Sequence, residues 1–290
     1  MPDYEKPDRL YDIADLLRGY DQDDPLAFTK PWDFATYRRF ISDGAAPPRA
    51  LEIRLVQAEH DARVAGVLKR FLDRAPKPKL VGVMGGNGLL RPQPAYIAVA
   101  QLGRHLTQNG YLLVTGGGPG AMEAAHLGAT FSAADHAAFN EAFALATVPS
   151  LPPLDDILTL SGDLAPGYES KGDVARQWLN KTLEVRNAAP KERGESLAIP
   201  TWFHGSEPST AFARALHQVL LEQHRRGGPH TQSHAGIIYA QGGGGTLRKI
   251  FEDAEQNYYA ATHSDFTPMI LQMHAPVAQR SLALSLTTMS

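Results

Sequence analysis

Three short glycine-rich segments carry the strongest chemical signal in this chain: Gly85-Gly86-Asn87-Gly88, Gly116-Gly117-Gly118-Pro119-Gly120 and Gln241-Gly242-Gly243-Gly244-Gly245-Thr246. Each follows a short apolar run, at 80–84, 111–115 and 236–240, and each precedes helix-compatible sequence. A glycine-rich turn between strand and helix exposes successive backbone N–H groups at the positive end of a helix dipole. An anion can then approach without meeting a Cβ. A single turn of this kind is equally well explained by tight strand-to-helix packing. Three in one chain point to a ligand cleft, with phosphate as the usual guest.

The elements around these turns predict the frame that holds them. Leu51, Leu55, Ala58, Ala62, Ala65 and Leu68 recur at three- and four-residue spacing, an amphipathic helix over 49–74 that Pro76 and Pro78 end. Two strand-turn-helix units follow about thirty residues apart, with helices expected at 94–108 and 121–128, a spacing that suits a βαβ crossover and a parallel sheet. The stretch 147–172 is rich in Pro, Gly, Ser and Asp and reads as an exposed excursion. Helices are then expected at 173–186, at 207–226 with Pro208 in its first turn, and at 247–261. Strands are expected at 196–200, 236–240 and 268–273. The fold class is α/β, a Rossmann-like doubly wound parallel sheet with helices on both faces and the glycine turns at the carboxyl ends of its strands. Residues 1–48, ending in a loop-like run from Asp43 to Pro48, are expected to form an N-terminal extension, and 49–290 the Rossmann-like domain that carries the glycine turns.

Composition narrows the function. The chain has 290 residues and no cysteine, which excludes disulfides, thiolate nucleophiles and cysteine-ligated zinc and fits a reducing compartment. No run approaches the roughly 18 apolar residues needed to span a bilayer, and the acidic, polar start does not resemble a secretory signal, so the expected location is the cytoplasm. A net charge of -3 argues against wide nucleic-acid binding, which needs a basic surface. The histidines at 217, 224, 230 and 234 lack compact ligand spacing, so no metal and no cofactor is expected.

The second turn also satisfies the G-x-G-x-x-A dinucleotide pattern, with Asp135 nearly twenty residues downstream, where that pattern places a ribose-binding acid. Against that reading, Asp135 lies in a sequence that starts a helix rather than at the tip of a second strand. A nicotinamide enzyme would also leave the third glycine turn without a task.

The strings Val81-Gly82-Val83-Met84-Gly85-Gly86, Gly110-Tyr111 and Val114-Thr115-Gly116-Gly117-Gly118-Pro119-Gly120-Ala121-Met122-Glu123-Ala124-Ala125 resemble the first half of the Lonely Guy (LOG) family of nucleotide phosphoribohydrolases. Two later runs, from Leu197 to Pro208 and from Ile250 to Tyr259, are similar to a longer bacterial branch of that family, so the resemblance covers about 79–273. It implies a Rossmann-like fold, usually a homodimer, that binds AMP-like nucleoside 5′-monophosphates. Active members hydrolyse the N-glycosidic bond to free base and ribose 5-phosphate. Their P-G-G-x-G-T-x-x-E signature holds the phosphate through its glycines and threonine, here Gly242, Gly243, Gly244, Gly245 and Thr246. The signature glutamate, helped by an arginine on the preceding helix, acts at the sugar, where a carboxylate can stabilise developing positive charge and orient water.

This chain departs from the signature at Gln241 and, more seriously, at Lys249, where a cation replaces the glutamate. Three readings stand side by side: Glu252, one helical turn on, takes over the carboxylate role; the site binds without hydrolysing; or it performs a different reaction on a similar ligand, with Arg248 and Lys249 on the phosphate. Arg225 is the best match for the partner arginine, although a cation near a helix C-terminus needs no ligand. Besides the third turn, the expected binding residues are Gly85, Gly86, Asn87, Gly116, Gly117, Gly118, Gly120, Met122, Glu123, His204 and Glu207. His204 and Glu207 enter through their loop, where sites commonly form. Trp202, Tyr258 and Tyr259 are expected to pack rather than to stack on a base.

Overall fold

The computed structural model describes residues 4–24, 26–45, 50–153, 157, 159, 163–202, 207–220, 233–262 and 266–271. The helix expected first is α3, Leu51–Leu72, preceded by α1, Ile13–Leu16, and α2, Trp32–Ser42. The first two apolar runs become β1, Lys79–Met84, and β2, Tyr111–Thr115, joined by α4, Pro94–Gln108, with proline at its start where a missing N–H costs little. After β2 come α5, Ala121–Thr130, α6, His136–Glu141, and α7, Tyr168–Ala188. The rest is β3, Ser196–Ala198, β4, Ala215–Leu216, β5, Ile237–Tyr239, α8, Gly244–Tyr258, and β6, Met269–Leu271.

These strands form one parallel sheet in the order β4-β3-β2-β1-β5-β6. Register pairs Leu80 with Leu112, Gly82 with Ile237 and Leu113 with Ser196. Because side chains alternate across a sheet, β1 splits its apolar residues between two cores. Val81 and Val83 pack with Val99, Ala124 and Leu127 of α4 and α5, whereas Leu80 packs with Val67, Leu68 and Leu72 of α3. Helices therefore cover both faces, and the architecture is a Rossmann-like α/β fold. No helix among the described residues is long and apolar enough to cross a membrane.

The N-terminal residues are built into this core. Tyr11 exchanges backbone hydrogen bonds with Leu216 at the β4 edge, at 3.1 and 2.8 Å. Tyr4 and Phe40 bury their rings with Trp202 and Leu220.

Two elements differ from the sequence expectation. Residues 207–220 form no helix; they carry β4, and 221–226 lie outside the described residues. Between Ser209 and Leu220 almost every residue is buried, so the apolar spacing does not mark one face of an amphipathic helix. The backbone there pairs with neighbours instead: the Thr210 N–H donates to the Gly117 carbonyl at 2.7 Å and the His217 N–H to the Ala198 carbonyl at 2.8 Å. The second difference is α7, which begins at Tyr168, five residues before the expected start. The region before it is not wholly exposed, because Ile157 is fully buried against Phe34, Tyr168 and Trp178.

Candidate functional site

The chain runs outward from β1 through β2, β3 and β4, then returns to the other side of β1 with β5. The switch between β1 and β5 opens a crevice at the strand carboxyl ends, where ligands of such sheets bind. All three glycine turns gather there, since they follow β2, β1 and β5, three neighbouring strands.

The turns are knitted to one another. Ala240 N–H donates to the Met84 carbonyl at 2.7 Å, Gly86 N–H to the Gln241 carbonyl at 2.9 Å, and Ala121 N–H to the Gly86 carbonyl at 3.1 Å. Gly120 has φ +74°, and a Cβ there would collide with the Gly86 carbonyl oxygen. A Cβ on Gly86 would lie 2.9 Å from the Gly242 Cα. Met122 sits beneath Gly118, its Cε 2.8 Å from the place a side chain would begin. Close packing thus accounts for Gly85, Gly86, Gly117, Gly120 and Gly242.

It does not account for Gly243, Gly244 and Gly245. A Cβ on any of them would meet nothing within 4 Å, and none has positive φ. These residues open α8, whose N-terminus has no side-chain cap and no acidic residue in its first turn. The first hydrogen bond into the helix is Leu247 N–H to the Gly243 carbonyl, 3.1 Å. The N–H groups of Gly244, Gly245 and Thr246 precede it and belong to the donors that a helix leaves unsatisfied.

The second turn is braced from below. His126 of α5 is fully buried, with Nε2 2.8 Å from Thr115 Oγ1 and Nδ1 2.8 Å from Ser196 Oγ. Thr115 Oγ1 also accepts the Gly117 N–H at 2.9 Å. Burial draws the imidazole down from 6.5 to about 3, so it stays neutral and links β2, α5 and β3.

A cavity of about 400 Å³ lies beside the first two turns, lined by Asn87, Arg91, Pro119, Glu123, Trp178 and Glu207 among others. Glu123 is 1% exposed and its carboxylate is already engaged. Arg91 donates to it from Nε and Nη2, both at 2.9 Å, and the Tyr96 hydroxyl donates at 2.6 Å. Arg91 also donates to Thr182 Oγ1 at 2.6 Å and lies over the Trp178 ring, 4.0 Å from its centroid. Asn87 and Glu207, expected on separate loops, meet at the cavity mouth, where the Asn87 amide donates to Glu207 Oε1. Glu207 Oε2 lies 2.9 Å from where a Gly118 side chain would begin, so this carboxylate lies across the β1 and β2 turns.

On α8, Glu252 is committed to its helical neighbours. Lys249 Nζ donates to Oε2 at 2.7 Å and Arg248 Nε to Oε1 at 2.6 Å. Partial burial alone would raise its pKa, but hydrogen bonds from Lys249 and Arg248 and their charges hold it at about 2. Tyr239 of β5 donates its hydroxyl proton to Asp253, with the Lys249 carbonyl oxygen 3.2 Å from the same hydroxyl, which ties α8 to the sheet. Arg225 and His204 lie outside the described residues. Trp202 is buried as expected, whereas Tyr258 and Tyr259 are 81% and 74% exposed: they end α8 on its solvent side, with no core to enter. Asp135 caps α6 by accepting the Ala138 N–H at 2.8 Å and stands at no strand tip, unlike the ribose acid of the dinucleotide pattern. Among the described residues no group of three or more His, Cys, Asp or Glu could hold a metal ion. Sequence reasoning missed Arg91, Tyr96 and Trp178; the first is a lone arginine in a loop and the other two read as ordinary helix residues.

A family model described as LDcluster4, the SLOG cluster4 family, matches residues 78–135. That span runs from β1 to α5 and contains the first two glycine turns but not the third. No curated protein matches the chain. The SLOG group is related to LOG-type Rossmann-like proteins, and at a coarse level the match indicates a nucleotide-binding or nucleotide-processing role.

Proposed function

We propose that this chain binds a nucleoside 5′-monophosphate, with the phosphate on the amides of Gly244, Gly245 and Thr246, and leaves the glycosidic bond intact. The observation that carries the reading is the glycine run 243–245: packing does not require it, and it lies at an uncapped helix N-terminus beside the switch of the sheet. There the helix dipole and free N–H groups favour an anion. Lys249 and Arg248 add positive charge for a phosphate.

The same charges disfavour hydrolysis. Departure of the base leaves positive charge on the ribose, which a nearby net negative group would stabilise. Glu252, Lys249 and Arg248 together carry a net positive charge, so Glu252 is a poor replacement for the signature glutamate. A homodimer belongs to the same reading; Leu247, Phe251 and Tyr258 leave an apolar stripe exposed along α8.

Incubation with AMP, CMP, GMP and UMP tests the proposal. The expected result is a raised melting temperature with no free base released, while Lys249→Glu, which restores the signature carboxylate, is expected to release base. Base release by the unaltered protein sinks the binding-only reading. Absence of any thermal stabilisation sinks the ligand class.

A further inference from the structure

The nucleotide reading leaves open what sits in the cavity beside the first two turns, and the inference that follows rests on that reading. Parallel strands lie about 4.8 Å apart, so the β2 turn is roughly 10 Å from the β5 turn, with β1 between them. A nucleotide whose phosphate sits at β5 therefore passes its ribose over β1 and delivers its base to the β2 side. The cavity is on that side, and its volume of about 400 Å³ falls in the range usual for small-molecule pockets, about 300–1,000 Å³. Leu89, Pro92, Pro119, Leu151 and Pro153 supply apolar walls suited to a flat heterocycle.

Two carboxylates line this cavity, Glu123 and Glu207. Glu123 is consumed by Arg91 and Tyr96. Among the described residues Glu207 has no cationic partner and a single hydrogen bond, from Asn87, which fixes its orientation and engages only Oε1. An ionised carboxylate only accepts. It therefore matches a base edge that offers adjacent donors and is repelled by one that offers acceptors. Guanine presents its ring N1–H and exocyclic amino group side by side. Hypoxanthine keeps the N1–H but lacks the amino group, adenine and cytosine set a ring acceptor beside their amino group, and uracil flanks its single N–H with two carbonyls.

We infer that the cavity is a base pocket in which Glu207, held by Asn87, selects guanine. A bidentate pair to a base edge discriminates by roughly 10- to 100-fold, and the site rejects analogues that leave its acceptor unmatched.

Titration calorimetry on the full chain with GMP, IMP, AMP, UMP and ribose 5-phosphate tests this. GMP is expected to bind at least about tenfold more tightly than IMP, with UMP weakest. Glu207→Gln is expected to bring GMP to within about threefold of IMP while leaving ribose 5-phosphate binding unchanged, because Glu207 touches the β1 and β2 turns whereas the phosphate contacts lie on the β5 turn. Asn87→Ala removes only the group that orients Glu207; it is expected to weaken the GMP preference in part, and it carries the test should Glu207→Gln not fold. Equal binding of GMP and IMP by the unaltered protein overturns the inference, as does a preference that survives Glu207→Gln. If ribose 5-phosphate binds and the base makes no difference, the base pocket is wrong and the phosphate site stands. If neither ribose 5-phosphate nor any nucleotide binds, the phosphate site itself is wrong and the base pocket falls with it.

Discussion

His126 lies wholly inside the core, where burial holds its imidazole at about 3 instead of 6.5. In the unfolded chain the ring takes up a proton as the pH falls below 6.5; in the folded chain it does so only near 3. The unfolded state therefore binds more protons across that window, and stability falls as the pH falls through it. Each pH unit is worth about 1.4 kcal/mol, so the loss reaches about 3 kcal/mol near pH 4.5 and roughly 5 kcal/mol once the pH is below 3. That is a large part of the 5–15 kcal/mol typical of folded domains. The assay is urea unfolding of the wild type and His126→Gln between about pH 7.5 and about pH 4.5, compared at each pH so that the other titrating groups cancel. The wild type should lose its advantage over the variant steadily below pH 6.5 and hold it constant above. A difference that does not change with pH would refute the claim that this ring is neutral and sealed. Near neutral pH the variant should also weaken nucleotide binding, because Thr115 loses the partner that orients it toward the Gly117 N–H.

Glu123→Gln is expected to cost about 3–5 kcal/mol in urea unfolding, because it strips the counter-charge from an Arg91 that is only 7% exposed; a cost below about 1 kcal/mol would show that the pair does not hold the fold. Asp33, half-buried and accepting the Trp202 Nε1–H at 2.7 Å, is raised by its burial to about 6, against the lowering effect of that hydrogen bond. Its folded pKa exceeds its unfolded 3.8, so the stability it contributes is fully present below 3.8 and is lost as the pH rises through 6. Asp33→Asn should therefore gain on the wild type by roughly 3 kcal/mol between about pH 4 and about pH 7, and parallel unfolding curves over that range would contradict the assignment.

Much of the frame was legible because strand and helix announce themselves differently. Leu80 to Met84 and Tyr111 to Thr115 are short apolar runs punctuated by glycine, and the helices after them begin within a residue of the expected place. The segment from Ser209 to Leu220 was not legible, because it is buried on nearly all sides and its backbone is satisfied by β3, by the Gly117 carbonyl and by the N-terminal Tyr11. Apolar spacing reports which face of an element is dry, and an element with no wet face has no spacing to report. Arg91 escaped for a related reason: its role depends on Glu123, thirty-two positions away, and on Trp178 and Thr182 of α7.

The glycines pose a sharper question, because sequence alone gives every one of them the same meaning. A glycine can be required by what already touches it or by what has yet to arrive, and only the space around it separates the two cases. Gly120 is required by the Gly86 carbonyl, and Gly86 by the backbone of Gly242. Those three are used up in bringing the turns together. Gly243, Gly244 and Gly245 lie in ordinary helical and extended backbone with empty space where side chains would be; glycine suits the N-cap at Gly243, but at Gly244 and Gly245, inside the helix, it costs up to roughly 1 kcal/mol per residue against alanine. Such a cost without a packing return is expected where a ligand must reach the backbone. The four consecutive glycines therefore divide between the two cases: Gly242 holds the neighbouring turn, and the remaining three keep the amides open.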